Sequence, residues 1–193
     1  MPNFSDHELV LQLQEGSLEA LGELYDRHRQ MVYRTALAIV GDPESAADLL
    51  QDVFLRLHRF AKRIDIARPL EPWLYRVTTN LAYTWVKRRY RWFNPLDDIA
   101  EWLAGSKKQS PPYISEMVEE SQRVEQAVFS LPIQQRIVVV LYYINDLSLN
   151  EISDILKIPE GTVKSRLHYG RQALKKHLRL QDGQLPSMQY EFT

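Results

Sequence analysis

Residues 147–178 read LSLNEISDILKIPEGTVKSRLHYGRQALKKHL, and the spacing of apolar residues in this stretch decides the fold. Leu149, Ile152, Ile155 and Leu156 give one short helix an apolar face. Lys157 to Glu160 make a tight turn, after which Val163, Leu167, Gly170, Leu174 and Leu178 continue the core along a second helix. Two short helices joined in this way form the helix-turn-helix pattern, whose second helix enters a DNA major groove. On a helical wheel Lys164, Ser165, His168, Gln172, Lys175 and Arg179 occupy the arc opposite Val163, Leu167 and Leu174. Residues 161–179 contain six Lys/Arg and no acid, so nothing there repels phosphate. Lys164, Arg166 and Arg171 can reach phosphates or guanine acceptors, while Ser165 and His168 are short enough for base edges. The preceding helix is acidic, with Asp146, Glu151, Asp154 and Glu160.

Upstream, apolar residues recur at helical spacing and no period-two run with hairpin turns is found, so the fold is all-α. Ser5 and Glu8 form a capping box at the first helix, which stops at Gly16. Ser17 caps a second helix running to Gly41, with Leu21, Leu24, Tyr25, Val32, Ala36 and Ile39 among its core residues. Asp42 caps a third that opens on Pro43 and runs to about Phe60. A loop over 61–71 precedes a fourth, from Pro72 to about Arg91. The polar, proline-containing stretch 105–112 cannot repay its ordering entropy and marks a linker. The expected organisation is two small helical domains, 1–93 and 121–180, joined by a flexible linker over 94–120, with a disordered tail over 181–193.

The net charge of −1 conceals segregation: residues 1–58 carry −6, 59–91 carry +7, 92–160 carry −6 and 161–193 carry +4. A chain that grips a polyanion at two places and a protein elsewhere has reason to separate charge in this way. In the first domain the loop supplies Lys62, Arg63 and Arg68, and the fourth helix ends in Lys87, Arg88, Arg89, Tyr90 and Arg91. Trp73, Leu74, Val77, Leu81 and Thr84 make its expected core side, and Tyr75, Thr79, Tyr83, Val86, Lys87 and Tyr90 the opposite one. Aromatic rings stack on unpaired bases while cations follow the backbone, so that opposite side suits single-stranded nucleic acid. On the third helix Leu49, Leu50, Val53, Leu57 and Phe60 face the core, and Glu44, Asp48, Gln51, Asp52 and Leu55 face outward. An acidic stripe with an exposed leucine suits a protein partner.

Without cysteine the chain has no disulfide, thiolate catalysis or cysteine-bound zinc. The five histidines (His7, His28, His58, His168 and His177) form no metal-ligand spacing in sequence. No phosphate-binding glycine loop is present, and no nucleophile has an evident base. The expectation is a non-enzyme with no catalytic residue, metal or cofactor. No signal sequence and no run approaching about 20 apolar residues is found, which points to a cytoplasmic location without membrane insertion.

Taken together, these motifs resemble the extracytoplasmic-function (ECF) sigma factors of bacterial RNA polymerase. Leu131-Pro132 with Gln135-Arg136, residues 147–152 and residues 158–168 are similar to the family's region four; residues 47–55 resemble its polymerase-clamp helix; residues 72–77 with Asn80-Leu81 resemble its promoter-melting helix. The resemblance implies that Asp48, Gln51, Asp52 and Leu55 bind the clamp of the polymerase largest subunit, with the flap of the second-largest subunit a further contact. It implies that Lys62, Arg63, Arg68, Tyr75, Asn80, Tyr83, Lys87, Arg88 and Arg91 capture the single-stranded upstream-ten element. Thr162, Lys164, Ser165, Arg166, His168, Tyr169 and Arg171 would read the upstream-thirty-five duplex, and an anti-sigma factor is a possible partner. Departures from the family pattern are Thr79, Thr84, Ser153, Lys157 and Tyr169-Gly170; Gly170 is expected to cost about 1 kcal/mol of helix stability relative to Ala. The alternative is a self-sufficient helix-turn-helix regulator, which would leave the first domain's aromatic, basic face and acidic stripe without a role.

Overall fold

The computed structural model describes residues 4–92 and 116–178, and of these not the side chains of 90–92 and 116–122. Every regular element in them is helical: α1 (Asp6–Gln14), α2 (Leu18–Val40), α3 (Pro43–Phe60), a 3-10 turn (Ala61–Arg63), α4 (Glu71–Trp92), α5 (Glu116–Phe129), α6 (Ile133–Tyr143), α7 (Leu149–Leu156) and α8 (Glu160–Leu178). Residues 93–115, which include most of the expected linker, and the expected tail lie outside the described residues.

The helix starts are those written in the sequence. Ser5 Oγ accepts from the Glu8 N–H at 3.3 Å while Glu8 Oε2 accepts from the Ser5 N–H at 2.7 Å, and Ser148 with Glu151 repeats the box at 3.3 and 2.8 Å. In both boxes these bonds hold the Glu carboxyl below the usual carboxylate range. Asp42 caps α3 through the Ser45 N–H at 2.8 Å, and Pro43 fills the first helical position. Gly41 closes α2 with φ 77°, a left-handed geometry that a side chain resists. A Cβ at Gly41 would also stand 2.8 Å from the Phe129 ring, so the α2–α3 corner forms a seat for the end of α5.

Helices α1 to α4 enclose one core, where Leu9, Leu24, Val32, Val53, Leu57 and Leu74 are almost wholly buried. In the second unit α6 is central, and Ile137, Val138, Val139, Val140 and Leu141 in succession are all buried. A helix apolar all round must be covered on more than one side. Helices α7 and α8 cover part of it, and the first unit covers another part: one apolar cluster runs from Ala36, Ile39, Tyr75 and Val86 into Ile137, Val138, Ile152 and Ile155.

Two expectations are corrected here. The side of α4 opposite its first core is only partly open to solvent, because Tyr75 (8% exposed), Thr79 (1%) and Val86 (4%) are buried against the second unit while Tyr83 is half-buried and Lys87 exposed. Thr84, placed with the core in sequence, is exposed and donates its hydroxyl to the Asn80 carbonyl at 2.8 Å.

Gly170 is the other revision. An added Cβ would lie 2.8 Å from Val139 Cγ2, so the glycine lets α8 approach α6 closely. Gly170→Ala gains about 1 kcal/mol of helix propensity but overpacks a buried contact at a cost of roughly 1–3 kcal/mol. We expect a lower urea midpoint for the variant by far-UV circular dichroism; a higher midpoint would show that the contact is slack.

Candidate nucleic-acid interface

The helix-turn-helix is built as its sequence implies, with Val163, Leu167 and Leu174 buried and Ser165, His168, Tyr169 and Gln172 exposed. The turn departs from glycine at Lys157, which takes φ 54° and ψ 46°. Ser153 compensates in part, since its hydroxyl donates to the Ile158 carbonyl at 2.7 Å and ties the turn to α7. Tyr169 is 62% exposed and meets His168 edge to face at 5.5 Å, so the two rings stand together on the outer face. Lys164 is half-buried and pairs with Glu160 at 2.9 Å, and the Ser165 hydroxyl donates to the Thr162 carbonyl at 3.0 Å. Thr162 and Arg171 are half-buried beside this face.

Arg166 stands apart from these. It lines a cleft of about 170 Å³ together with Thr79, Asn80 and Tyr83 of α4 and Gln134, Ile137, Leu156 and Ile158 of the second unit. It is half-buried there, at the edge of the duplex-reading face nearest the seam between the units.

The single-strand residues divide. Lys62, Arg63 and Arg68 are exposed; Arg59 and Arg63 each stand 5.7 Å from the Phe60 ring centroid, and Arg68 meets Asp65 at 3.3 Å. Lys87 and Arg88 are exposed near the end of α4, with Lys87 5.1 Å from the Tyr83 ring and Arg89 5.2 Å from that of Trp85. Tyr83 is half-buried, and hydrogen bonding to Lys87 and then Gln134 pulls its phenol below the ordinary range. Tyr75 is not available as a stacking platform: burial raises its phenol, the Asn145 side chain beside it working the other way. Asn80 is exposed but borders the cleft, and the side chain of Arg91 lies outside the described residues. The third surface is complete, for Asp48, Gln51, Asp52 and Leu55 are all exposed on α3, Leu55 at 64%.

Sequence reasoning missed the residues that join the units. Arg34 donates to the Ile144 carbonyl at 2.8 Å, and Arg76 donates through Nε to Ile155 at 2.9 Å and through Nη2 to Asp154 at 2.8 Å. Asn145 Nδ2 donates to Thr35 Oγ1 at 3.0 Å. Arg136, 5% exposed, donates to the carbonyls of Ile39 at 2.8 Å and Leu131 at 3.2 Å, and also to that of Phe129. The one signal was a lone arginine opening the apolar run Ile137 to Leu141. Asp6, His28 and Glu71 also converge, their ligand atoms within 4.8 Å of one another, with Asp6 bonded to His28 and to Arg27. That clasp fastens α1 to α2.

The Sigma-70 region 2 family model matches residues 24–92, and the Sigma-70 region 4 model matches residues 121–174. The ECF RNA polymerase sigma factor SigW of Bacillus subtilis is 33% identical over 178 residues, covering 88% of this chain and 95% of that one. SigM of the same organism is 31% identical over 155 residues, covering 80% and 93%. Among solved structures, CnrH in complex with the cytosolic domain of CnrY superposes with TM-score 0.66 at 23% identity, over 90% of this chain and 97% of that one. The sigma factor RpoE in complex with the anti-sigma factor NepR from Bartonella quintana gives 0.65 at 20% identity, over 84% and 99%; both likenesses bear on the fold. With two family matches in order and relatives aligned along nearly the whole length, the chain belongs to the ECF RNA polymerase sigma factors, the initiation factors that direct core polymerase to promoters.

Proposed function

We propose that the chain divides its surface between enzyme and promoter as follows. Asp48, Gln51, Asp52 and Leu55 on α3 meet the clamp of the polymerase largest subunit, and the second unit meets the flap of the second-largest. Lys62, Arg63, Arg68, Asn80, Tyr83, Lys87, Arg88 and Arg91 take the unpaired upstream-ten strand. Thr162, Lys164, Ser165, Arg166, His168, Tyr169 and Arg171 take the upstream-thirty-five duplex. The chain does no chemistry itself, works in the cytoplasm and divides functionally into 1–93, 94–120, 121–180 and a tail over 181–193. Among the described residues no helix is long and apolar enough to cross a membrane. An anti-sigma factor is a fitting regulator, as two structural relatives are complexes with such partners or with a cytosolic domain.

The observation that carries this reading is the separation of an acidic, leucine-bearing face on α3 from the cationic ground at 62–68, 87–88 and α8. Each DNA face is one helix wide and binds weakly alone; a polymerase holding both at fixed spacing adds their affinities. Footprinting on a promoter with and without core polymerase tests it. We expect protection only with core enzyme, and with ~6 phosphate contacts a slope near −5 of log affinity against log salt. Equal protection without core enzyme would overturn the reading.

A further inference from the structure

The loop ahead of α4 carries Lys62, Arg63 and Arg68, and its one regular element is the 3-10 turn at its start. Its side chains part by environment. Lys62, Arg63 and Arg68 are exposed, while Ala61 and Leu70 are buried and Ile64 and Ile66 are half-buried against the core of the first unit. Burial of this kind decides which side of the loop faces inward, but it is non-directional and does not fix the backbone. Hydrogen bonds to the backbone do, and they come from α1. Gln14, half-buried at the end of that helix, donates through Nε2 to the carbonyls of Ala61 and Ile64, at 3.1 Å each. An amide nitrogen carries two protons, so both bonds are held at once. The two carbonyls bracket Lys62 and Arg63. Arg68 is set differently, by the loop itself: Asp65 accepts from the Ala67 N–H at 3.0 Å and pairs with Arg68 at 3.3 Å.

We infer that Gln14 is a positioning residue for capture of the unpaired strand. It lies behind the loop and touches no nucleic acid; by gripping the carbonyls on either side of Lys62 and Arg63 it presents their two cations in one fixed arrangement. A loop ordered in advance does not charge its ordering to the binding step. Without the amide, the exposed cations remain but the backbone between them is loose, and the strand must order it. The inference deepens the division of surfaces proposed above and rests on it.

The test uses holoenzyme assembled from core polymerase and the full chain, titrated with a promoter fragment whose upstream-ten segment is already unpaired, so that melting does not enter. Gln14→Leu keeps the volume and removes the donors, and it should weaken binding to this fragment roughly tenfold. Competition for core polymerase should be unchanged, since the α3 stripe lies elsewhere. A double-mutant cycle decides the mechanism. Beside Lys62→Ala/Arg63→Ala the same change should cost less than about twofold, and beside Lys87→Ala, outside the loop, again roughly tenfold. A variant that had only lost folded material would lose the same factor in every background. Such an equal loss, or no loss in the parent, overturns the positioning role. Should Gln14→Leu fail to fold, Gln14→Asn keeps the amide but falls a methylene short of the carbonyls, and the same cycle applies. The two failures are distinguishable. If Lys62→Ala/Arg63→Ala alone leaves binding intact, the proposed division of surfaces falls and the inference with it; if that variant binds weakly and the Gln14 effect persists beside it, the positioning role alone falls.

Discussion

Replacing Leu55 by Asp should weaken binding to core polymerase by about 30-fold, with promoter-directed transcription falling in step. The side chain is 64% exposed on the outer face of α3, beside Gln51, Asp52 and Asp48. Burying a leucine under a partner contributes roughly 2 kcal/mol, and an anchor ringed by polar groups is where interface energy concentrates. The Asp carboxylate would lose that burial and bring an unpaired charge into a desolvated contact. Because the leucine makes no core contact, unfolding stability should change by less than about 0.5 kcal/mol. Competition against labelled parent protein for core polymerase, with a thermal melt of each variant, provides both readings. Undiminished affinity would mean that the enzyme grips another face.

Arg136→Met should have the largest effect on the fold. The guanidinium is 5% exposed and serves carbonyls at the end of α2 (Ile39) and around the α5–α6 turn (Phe129 and Leu131). It also lies 5.3 Å from the Phe129 ring, which packs against Gly41. Methionine fills much of the volume and leaves those acceptors without donors, each at a cost of about 1–3 kcal/mol when buried. A net loss of about 3 kcal/mol corresponds to a drop of roughly 6–12 °C in the melting midpoint for a chain of this size. Differential scanning calorimetry measures it directly. A drop of less than about 2 °C would mean that water reaches those carbonyls and that the arginine is a surface residue in practice.

The sequence announced its local structure well, because helix starts are chemical events confined to a few neighbouring residues. Ser5 with Glu8, Asp42 with Pro43, and Ser148 with Glu151 each declare a cap without reference to the rest of the chain. The outward face of α3 was legible for the same reason: one periodic stripe of Leu49, Val53 and Leu57 settles where its opposite points. The α4 face misled, since Tyr75, Tyr83 and Val86 pattern equally well for stacking on bases and for packing on another helix. Only the partner's position decides between these, and that partner lies some 60 residues downstream across a linker. The unbroken run Ile137 to Leu141 held the missing information, as α7 and α8 alone do not enclose a helix apolar on all sides. Arg34 and Arg76 bond to backbone carbonyls, which carry no residue-specific sign in sequence. Gly170 looked like a weakness in a helix and serves as a fitting allowance for Val139.

That all-round greasy character of α6 has a consequence for how the two halves can ever part. Ile137 borders the seam and its neighbours lie beneath it, so separation in water bares an oily strip with nothing to wet it. Solvent alone is a poor destination for such a surface. Parting is therefore best made as a hand-over, in which one apolar cover is exchanged directly for another, and a chain prised open with no receiver nearby should clump with its own copies.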